Sequence, residues 1–192
     1  MKEIEQELKL QLNKQQYLTM LSYANGQQGK LQSNHYFYYD GMSADRMLRI
    51  RHANGCFQLT YKLRKSNVDG VMMAVEYNAE VGKDFADACI NKGLPAKVVE
   101  QLLGVRLPAD SRYIGCLTTL RTKYVYEGCN IELDCNHYLD QVDFELECED
   151  LDVTKLDALR AKLEQEFGQL PNSLPKVQRF VNKLASTPAF CK

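Results

Sequence analysis

Apolar and polar residues alternate one by one along segment after segment of this 192-residue chain, and the charges on the polar positions are sorted by segment. Near the start, Glu3, Glu5, Glu7, Lys9 and Gln11 alternate with Ile4, Leu8, Leu10 and Leu12, with Gln6 breaking the apolar set. A period of two is the signature of an extended strand with one face buried. Further along, Arg49 and Arg51 oppose Leu48 and Ile50, and Thr60, Lys62 and Arg64 oppose Phe57, Leu59, Tyr61 and Leu63. Thr119, Arg121 and Lys123 share a face; Glu132 and Asp134 oppose Ile131 and Leu133; Asp143, Glu145, Glu147 and Glu149 oppose Phe144, Leu146 and Cys148. Like charges on one strand face sit roughly 7 Å apart and repel. A solvated face ordinarily mixes signs along each strand. Here strands one, seven and eight are mainly acidic and strands three, four and six basic, which suggests two charged walls that meet.

The punctuation between these segments fixes their connections. Asn54-Gly55 lies between two alternating runs, a hairpin signal, and Asp40-Gly41, Asp69-Gly70 and Glu127-Gly128 mark further turns. Strands are expected at about 2–12, 32–40, 47–53, 56–65, 72–81, 114–126, 130–138 and 142–149. Tight turns make neighbours antiparallel. Helices are expected from an N-cap at Asn13 to about Tyr23, with Tyr17, Leu18 and Leu21 on the apolar side, and at 84–91, 96–103, 153–167 and 175–185. The fold class is α+β. If eight antiparallel strands close into a barrel, the polar faces turn inward, the apolar faces outward, and the helices flank them. One domain over residues 1–192, with a core of about 1–185, is expected.

Composition narrows the setting. With 45% apolar and 26% charged residues the chain is globular, and its net charge of −1 gives no bulk argument for nucleic-acid or anionic-membrane binding. No apolar run approaches the ~18 residues of a membrane span, and the charged N-terminus does not read as a signal peptide, so a cytoplasmic setting is expected. Seven cysteines without a CxxC pair point to reduced thiols rather than a disulfide framework or zinc ribbon. The sequence does not report oligomeric state and leaves a homodimer open.

A charged interior is costly unless it holds a counter-charged ligand. Inward Arg and Lys call for a polyanion, with Arg suited to bidentate phosphate contacts. Clustered carboxylates call for a hard divalent cation, Mg²⁺ or Mn²⁺. Both together describe a metal-bound phosphate chain.

On these residues the sequence resembles the CYTH proteins, also called triphosphate tunnel metalloenzymes. Glu5-Gln6-Glu7-Leu8-Lys9 resembles the family's ExExK motif, Arg49-Ile50-Arg51 its RxR strand, Lys62 the lysine of the next strand and Glu76 the acidic position of the strand after it. Arg121 and Lys123 resemble the later basic pair, Asp134 an acidic residue of strand seven, Glu145-Leu146-Glu147 the closing ExE, and Lys176 with Arg179 the basic element of the final helix. The resemblance covers about residues 1–185. It departs at Asn78, where many members carry a second glutamate, and Glu3 and Glu149 extend the acidic strands to positions read as a solvated rim.

The resemblance implies a tunnel that binds a small-molecule triphosphate. Arg49, Arg51, Lys62, Arg121, Lys123, Lys176 and Arg179 would hold phosphate oxygens. Glu5, Glu7, Asp134, Glu145 and Glu147 would bind Mg²⁺ or Mn²⁺, with Glu76 a weaker candidate. Glu7, Glu147 and Lys9 would act at the reacting phosphate. Lys9 reads equally well as an ion-pair partner of Glu7 or Glu147, and Arg179 as a partner for an acidic residue. Family activities include inorganic triphosphatase, thiamine triphosphatase and adenylate cyclase. The chain has no Trp to stack thiamine and no plain adenine pocket, which favours hydrolysis of inorganic triphosphate. The alternatives are the other two activities or a sensor that binds a nucleotide or polyphosphate without turnover, which Asn78 would favour. His35, His52 and His137 show no ligand spacing, and Tyr36, Tyr38 and Tyr39 read as wall packing.

Overall fold

The computed structural model describes residues 2–68, 71–150 and 152–187, with the side chains of 2–5, 66–68 and 71–72 outside that description. The elements are β1 (Lys2–Leu12), α1 (Lys14–Ser22), β2 (Lys30–Tyr38), β3 (Arg46–Ala53), β4 (Cys56–Val68), β5 (Val71–Val81), α2 (Lys83–Lys92), α3 (Ala96–Leu103), β6 (Arg112–Tyr126), β7 (Cys129–Tyr138), β8 (Gln141–Glu149), α4 (Val153–Phe167) and α5 (Lys176–Ala185). The expected strands and helices are all present, with ends shifted by a few residues. The Asp69-Gly70 turn lies outside the described residues.

All eight strands form one closed antiparallel barrel in the order β1-β5-β4-β3-β2-β6-β7-β8. Closure comes from β1, which pairs with β5 on one side and β8 on the other. The alternation then sorts the faces as expected. Leu8, Leu10, Ile131, Leu133, Leu146 and Cys148 point outward into a core roofed by Tyr17 and Met20 of α1 and by Leu156, Leu159 and Leu163 of α4. A second outer core sets Leu48, Ile50, Leu59 and Tyr61 against Ala86 and Cys89 of α2 and Val99 of α3. Fully burying side chains of this kind contributes about 1.5–3 kcal/mol each. These two cores hold the barrel wall from outside and leave its interior to polar groups. Asn13 caps α1 through a reciprocal pair of bonds with Gln16. Within α1 the expected apolar side needs one correction: Leu18 is exposed, and Met20 takes the buried place beside Tyr17. A helix lying along a barrel buries the stripe tangent to it, and Leu18 falls off that stripe.

The fifth helix is placed differently from the others. Its Val177 and Phe180 pack against Tyr36, Met47, Leu117 and Tyr138 and close one end of the barrel. Gly115 of β6 makes the room: its φ is +138°, and a Cβ there would lie 2.6 Å from Phe180 Cζ. The helix that plugs this end projects Lys176 and Arg179 into the interior. No described helix is long and apolar enough to cross a membrane.

Candidate active site

The acidic side of the lumen follows from strand order. Antiparallel register sets Lys9 beside Glu147 and Gln11 beside Glu145 across β1 and β8, and Asp134 beside Glu145 and Glu132 beside Glu147 across β7 and β8. Asp134 and Glu145 have no exposed surface, and Glu7 and Glu147 are nearly as buried. Buried carboxylates stay charged only with cations against them, and here each has at least one. Lys9 Nζ lies 3.1 Å from Glu7 and also contacts Glu147. Arg121 donates at 2.6 Å to both Asp134 and Glu147 and also contacts Glu132. Lys176 Nζ lies 2.8 Å from Asp134 and 2.6 Å from Glu147 and contacts Glu145. Glu145 also accepts from Arg179 at 2.6 Å and from Ser173 Oγ at 2.8 Å.

Burial alone would raise the pKa of Glu147, but the charges of Lys9 and Arg121 hold it well below the usual carboxylate range. The same balance, with Lys9 and Lys62 as the cations, lowers that of Glu7. For Lys9 burial is opposed by Glu147 and Glu7, and its pKa is raised.

On the other side of the lumen the positive groups are in excess. Lys62 bridges Glu7 at 3.3 Å and Glu76 at 3.1 Å. Arg49 reaches Glu76 only at 3.8 Å, and its buried Nε has no partner. Arg51 donates its Nε to Asn34 Oδ1 at 3.0 Å, and among the described residues no carboxylate stands within ion-pair reach of it. Burial, with the neighbouring charges of Arg49 and Arg121, pushes its pKa down to about 9. A guanidinium so poorly balanced marks a place for an anion. Glu76 shows the reverse: against the effect of burial, Arg49 and Lys62 lower its pKa to about 2.

The structure thus brings Lys9, Arg49, Arg51, Lys62, Glu7, Glu76, Arg121, Glu147 and Lys176 to one cavity. Its free volume is only about 80 Å³, because opposed charges close on one another across the lumen. Asp134, Glu145 and Arg179 lie just behind them, toward α5. Lys123 is set apart: it contacts Glu132 near the open mouth and is mostly exposed. The Glu5 side chain, like that of Glu3, lies outside the described residues. Arg121 differs from the expectation of a basic wall, since β6 pairs with β7 and delivers it among carboxylates. Lys176 and Arg179 likewise sit on the acidic side.

Among the lumen residues outside the motif positions singled out in the sequence is Arg64. It lines the cavity beside Lys62, donates to the Ala44 carbonyl at 3.1 Å and leaves its Nε unpartnered. The alternation Thr60, Lys62, Arg64 already placed it inward. Asn78 is held by Thr60 Oγ1, which donates to its Oδ1 at 2.7 Å. His52 stacks on Phe57 away from the lumen with ring centroids 4.3 Å apart, and Tyr36 packs on Phe180 at the plugged end.

Asp134, Glu145 and Glu147 each offer an oxygen within 4.8 Å of the others. A buried all-oxygen donor set fits a hard divalent cation. The ammonium of Lys176 lies against the same three carboxylates.

A closed antiparallel barrel with a buried, two-signed lumen defines a class of charged-tunnel protein, and the comparisons place the chain in one such family. Residues 3–181 match the CYTH domain, and the chain belongs to that family. It is similar to a solved structure from Bacillus halodurans, provisionally described as an adenylate cyclase, at 26% identity and TM-score 0.75, covering 93% of this chain and 98% of that one. A Hippeastrum protein, provisionally named an adenylyl cyclase and described as having a dominant triphosphatase activity, matches at 23% identity and TM-score 0.75, covering 93% and 96%. A protein from Pyrococcus horikoshii shares 17% identity at TM-score 0.60, covering 93% and 99%. No curated protein is significantly similar to this chain in sequence.

Proposed function

We propose that the protein hydrolyses a linear triphosphate, inorganic triphosphate first among them, in a reaction dependent on Mg²⁺ or Mn²⁺. The observation that carries this reading is the opposition, across one lumen, of two sets of described residues: Arg49, Arg51 and Arg64, which lack close carboxylate partners, and the buried triad Asp134, Glu145 and Glu147. The guanidinium groups would hold phosphate oxygens, with Lys62 turning to the same chain when an anion competes with its carboxylates. Asp134, Glu145 and Glu147 would hold the metal, joined from the β1 side by Glu7 and Glu5. When bound, a divalent metal polarises phosphate oxygens and lowers the pKa of coordinated water. Arg121, bonded to both Asp134 and Glu147, fixes the carboxylate orientation. Glu7 and Glu147, held deprotonated by Lys9, are weak bases; they orient an attacking water by accepting its hydrogen bonds. Lys9, kept protonated, faces charge developing on the terminal phosphate. The α5 plug keeps bulk water out of that end, so substrate enters by the opposite mouth.

The triphosphatase activity described for the Hippeastrum relative supports hydrolysis over cyclisation. The test is phosphate release from tripolyphosphate, ATP and thiamine triphosphate, each with Mg²⁺ or Mn²⁺. Selective release from tripolyphosphate is expected. Cyclic AMP formed from ATP would establish a cyclase instead, and tight binding of all three without turnover a sensor.

A further inference from the structure

At the end of the lumen away from α5 lies a second cavity of about 240 Å³ lined by Gln27, Gln28, Lys30, Gln32, Arg121 and Lys123, with apolar Leu31 at its side and Ala53 and Asn54 of the β3–β4 connection. Arg121 lines both spaces. Three cations and four carboxamides converge there, Arg121 and Lys123 also in contact with Glu132 behind them, and among the described residues no carboxylate and no aromatic ring lines it. Two features show that the mouth is built rather than incidental. Gln32 is only 8% exposed, yet its Nε2 donor has no partner, and the fully buried Asn34 two residues deeper leaves Nδ2 unpartnered too. A buried unsatisfied donor costs ~1–3 kcal/mol, so each of these is a position waiting for an acceptor. The loop carrying Gln27 and Gln28 is seated close against β6: at Gly29 a Cβ would lie 2.9 Å from Leu120 Cδ1, so a larger residue there would have to turn that side chain aside.

The donors form a track. Asn34, Gln32 and Lys30 follow one another on the inward face of β2, spanning about 13 Å at the strand's rise per residue. At its inner end Asn34 meets Arg51, and at its outer end Lys30 pairs in register with Arg121. A nucleobase would find no aromatic ring to stack on; a further run of phosphates would meet three cations and the NH2 donors of the carboxamides. We propose that this mouth is an anion subsite that continues the lumen, so that the protein binds linear polyphosphates of four or more phosphates in preference to three. This rests on the proposed triphosphate reading of the lumen.

The test is calorimetric titration with sodium tripolyphosphate, sodium tetrapolyphosphate and ATP in the presence of EDTA, where no turnover occurs. The wild type should bind tetrapolyphosphate about tenfold more tightly than tripolyphosphate. Lys30→Ala, at an exposed position, and Gln32→Leu should each shrink that ratio severalfold while leaving tripolyphosphate affinity within about twofold. Equal affinity for the two chains in the wild type overturns the subsite and leaves the triphosphate reading standing. So does a ratio that survives both substitutions. A gain for ATP over tripolyphosphate that the variants abolish, without one for tetrapolyphosphate, assigns the mouth to a nucleoside and overturns it as well. Failure of every chain to bind removes the lumen assignment itself.

Discussion

On the β7–β8–β1 side of the lumen, Glu7, Asp134, Glu145 and Glu147 each have a cation against them; on the β3–β4 side, Arg51 and Arg64 have no carboxylate within reach among the described residues, and Arg49 has only a distant one. Both sides are buried charge, and burial is costly to either sign. The acidic side is balanced by the chain's own Lys9, Arg121, Lys176 and Arg179, so a metal there must replace an internal partner. The basic side is only partly balanced, through Lys62 and the distant Arg49–Glu76 pair, so an anion there adds contacts to Arg51 and Arg64 and competes only for Lys62 and Arg49. The difference teaches which ligand the apo fold is readier for: the phosphate chain should bind without metal, whereas the metal must compete.

The largest expected effect comes from breaking the acidic side. Glu147→Gln removes a carboxylate that touches Lys9, Arg121 and Lys176 at once. Metal-dependent turnover should fall by ~10²–10³-fold, with far-UV circular dichroism unchanged; full activity in this variant would sink the metal assignment. On the other side, Arg51→Ala should weaken tripolyphosphate binding in EDTA by roughly 10–100-fold, the range of a lost charge-assisted hydrogen bond. Arg51→Lys should recover only part of it, because the planar fork is lost. Calorimetry reads both.

Each side also holds residues of the opposite sign, and one from each gives a subtler test. Lys176 is a lysine held by three of the carboxylates. Lys176→Met should raise Mg²⁺ or Mn²⁺ affinity about tenfold, ~1.4 kcal/mol, as measured by metal titration without substrate. A raised KM for tripolyphosphate with unchanged metal affinity would make it a phosphate contact instead. Glu76 is a carboxylate among the cations. Its pKa is lowered in the fold, from 4.5 to about 2, so its contribution to stability is present above pH 4.5 and lost as the pH falls toward 2. The gap in denaturation midpoint between wild type and Glu76→Gln should therefore narrow over that window. Each tenfold change in proton affinity is worth roughly 1.4 kcal/mol, which limits the Glu76 contribution to about 3 kcal/mol at most.

Period-two alternation made the inward set legible, from Glu7 through Arg49, Lys62, Asp134 and Glu147, because each strand reports its own face. Strand order was not legible in the same way. Arg121 and Lys123 read as part of a basic wall, and only the pairing of β6 with β7 turns Arg121 toward carboxylates. That pairing is a tertiary choice that local pattern does not encode. The positions of Lys176 and Arg179 depend on α5 entering the barrel end. The cue for that entry is Gly115, a lone glycine within a strand, which marks a close approach without saying what approaches. Arg64 is the opposite case: alternation with Lys62 marks it as inward, although it belongs to none of the recurring motifs.

Closure of the barrel by β1 and β8 has a consequence in time. Lys9 and Glu147 are 138 positions apart, and a ribosome adding 5–20 residues per second needs on the order of ten seconds or more to cover that distance. Throughout that interval the first strand carries its glutamates with no opposite wall and no final helix to complete the site. The two-signed lumen is therefore among the last features a new chain can acquire, and a copy ending before β8 would lack the site altogether rather than carry a weakened one.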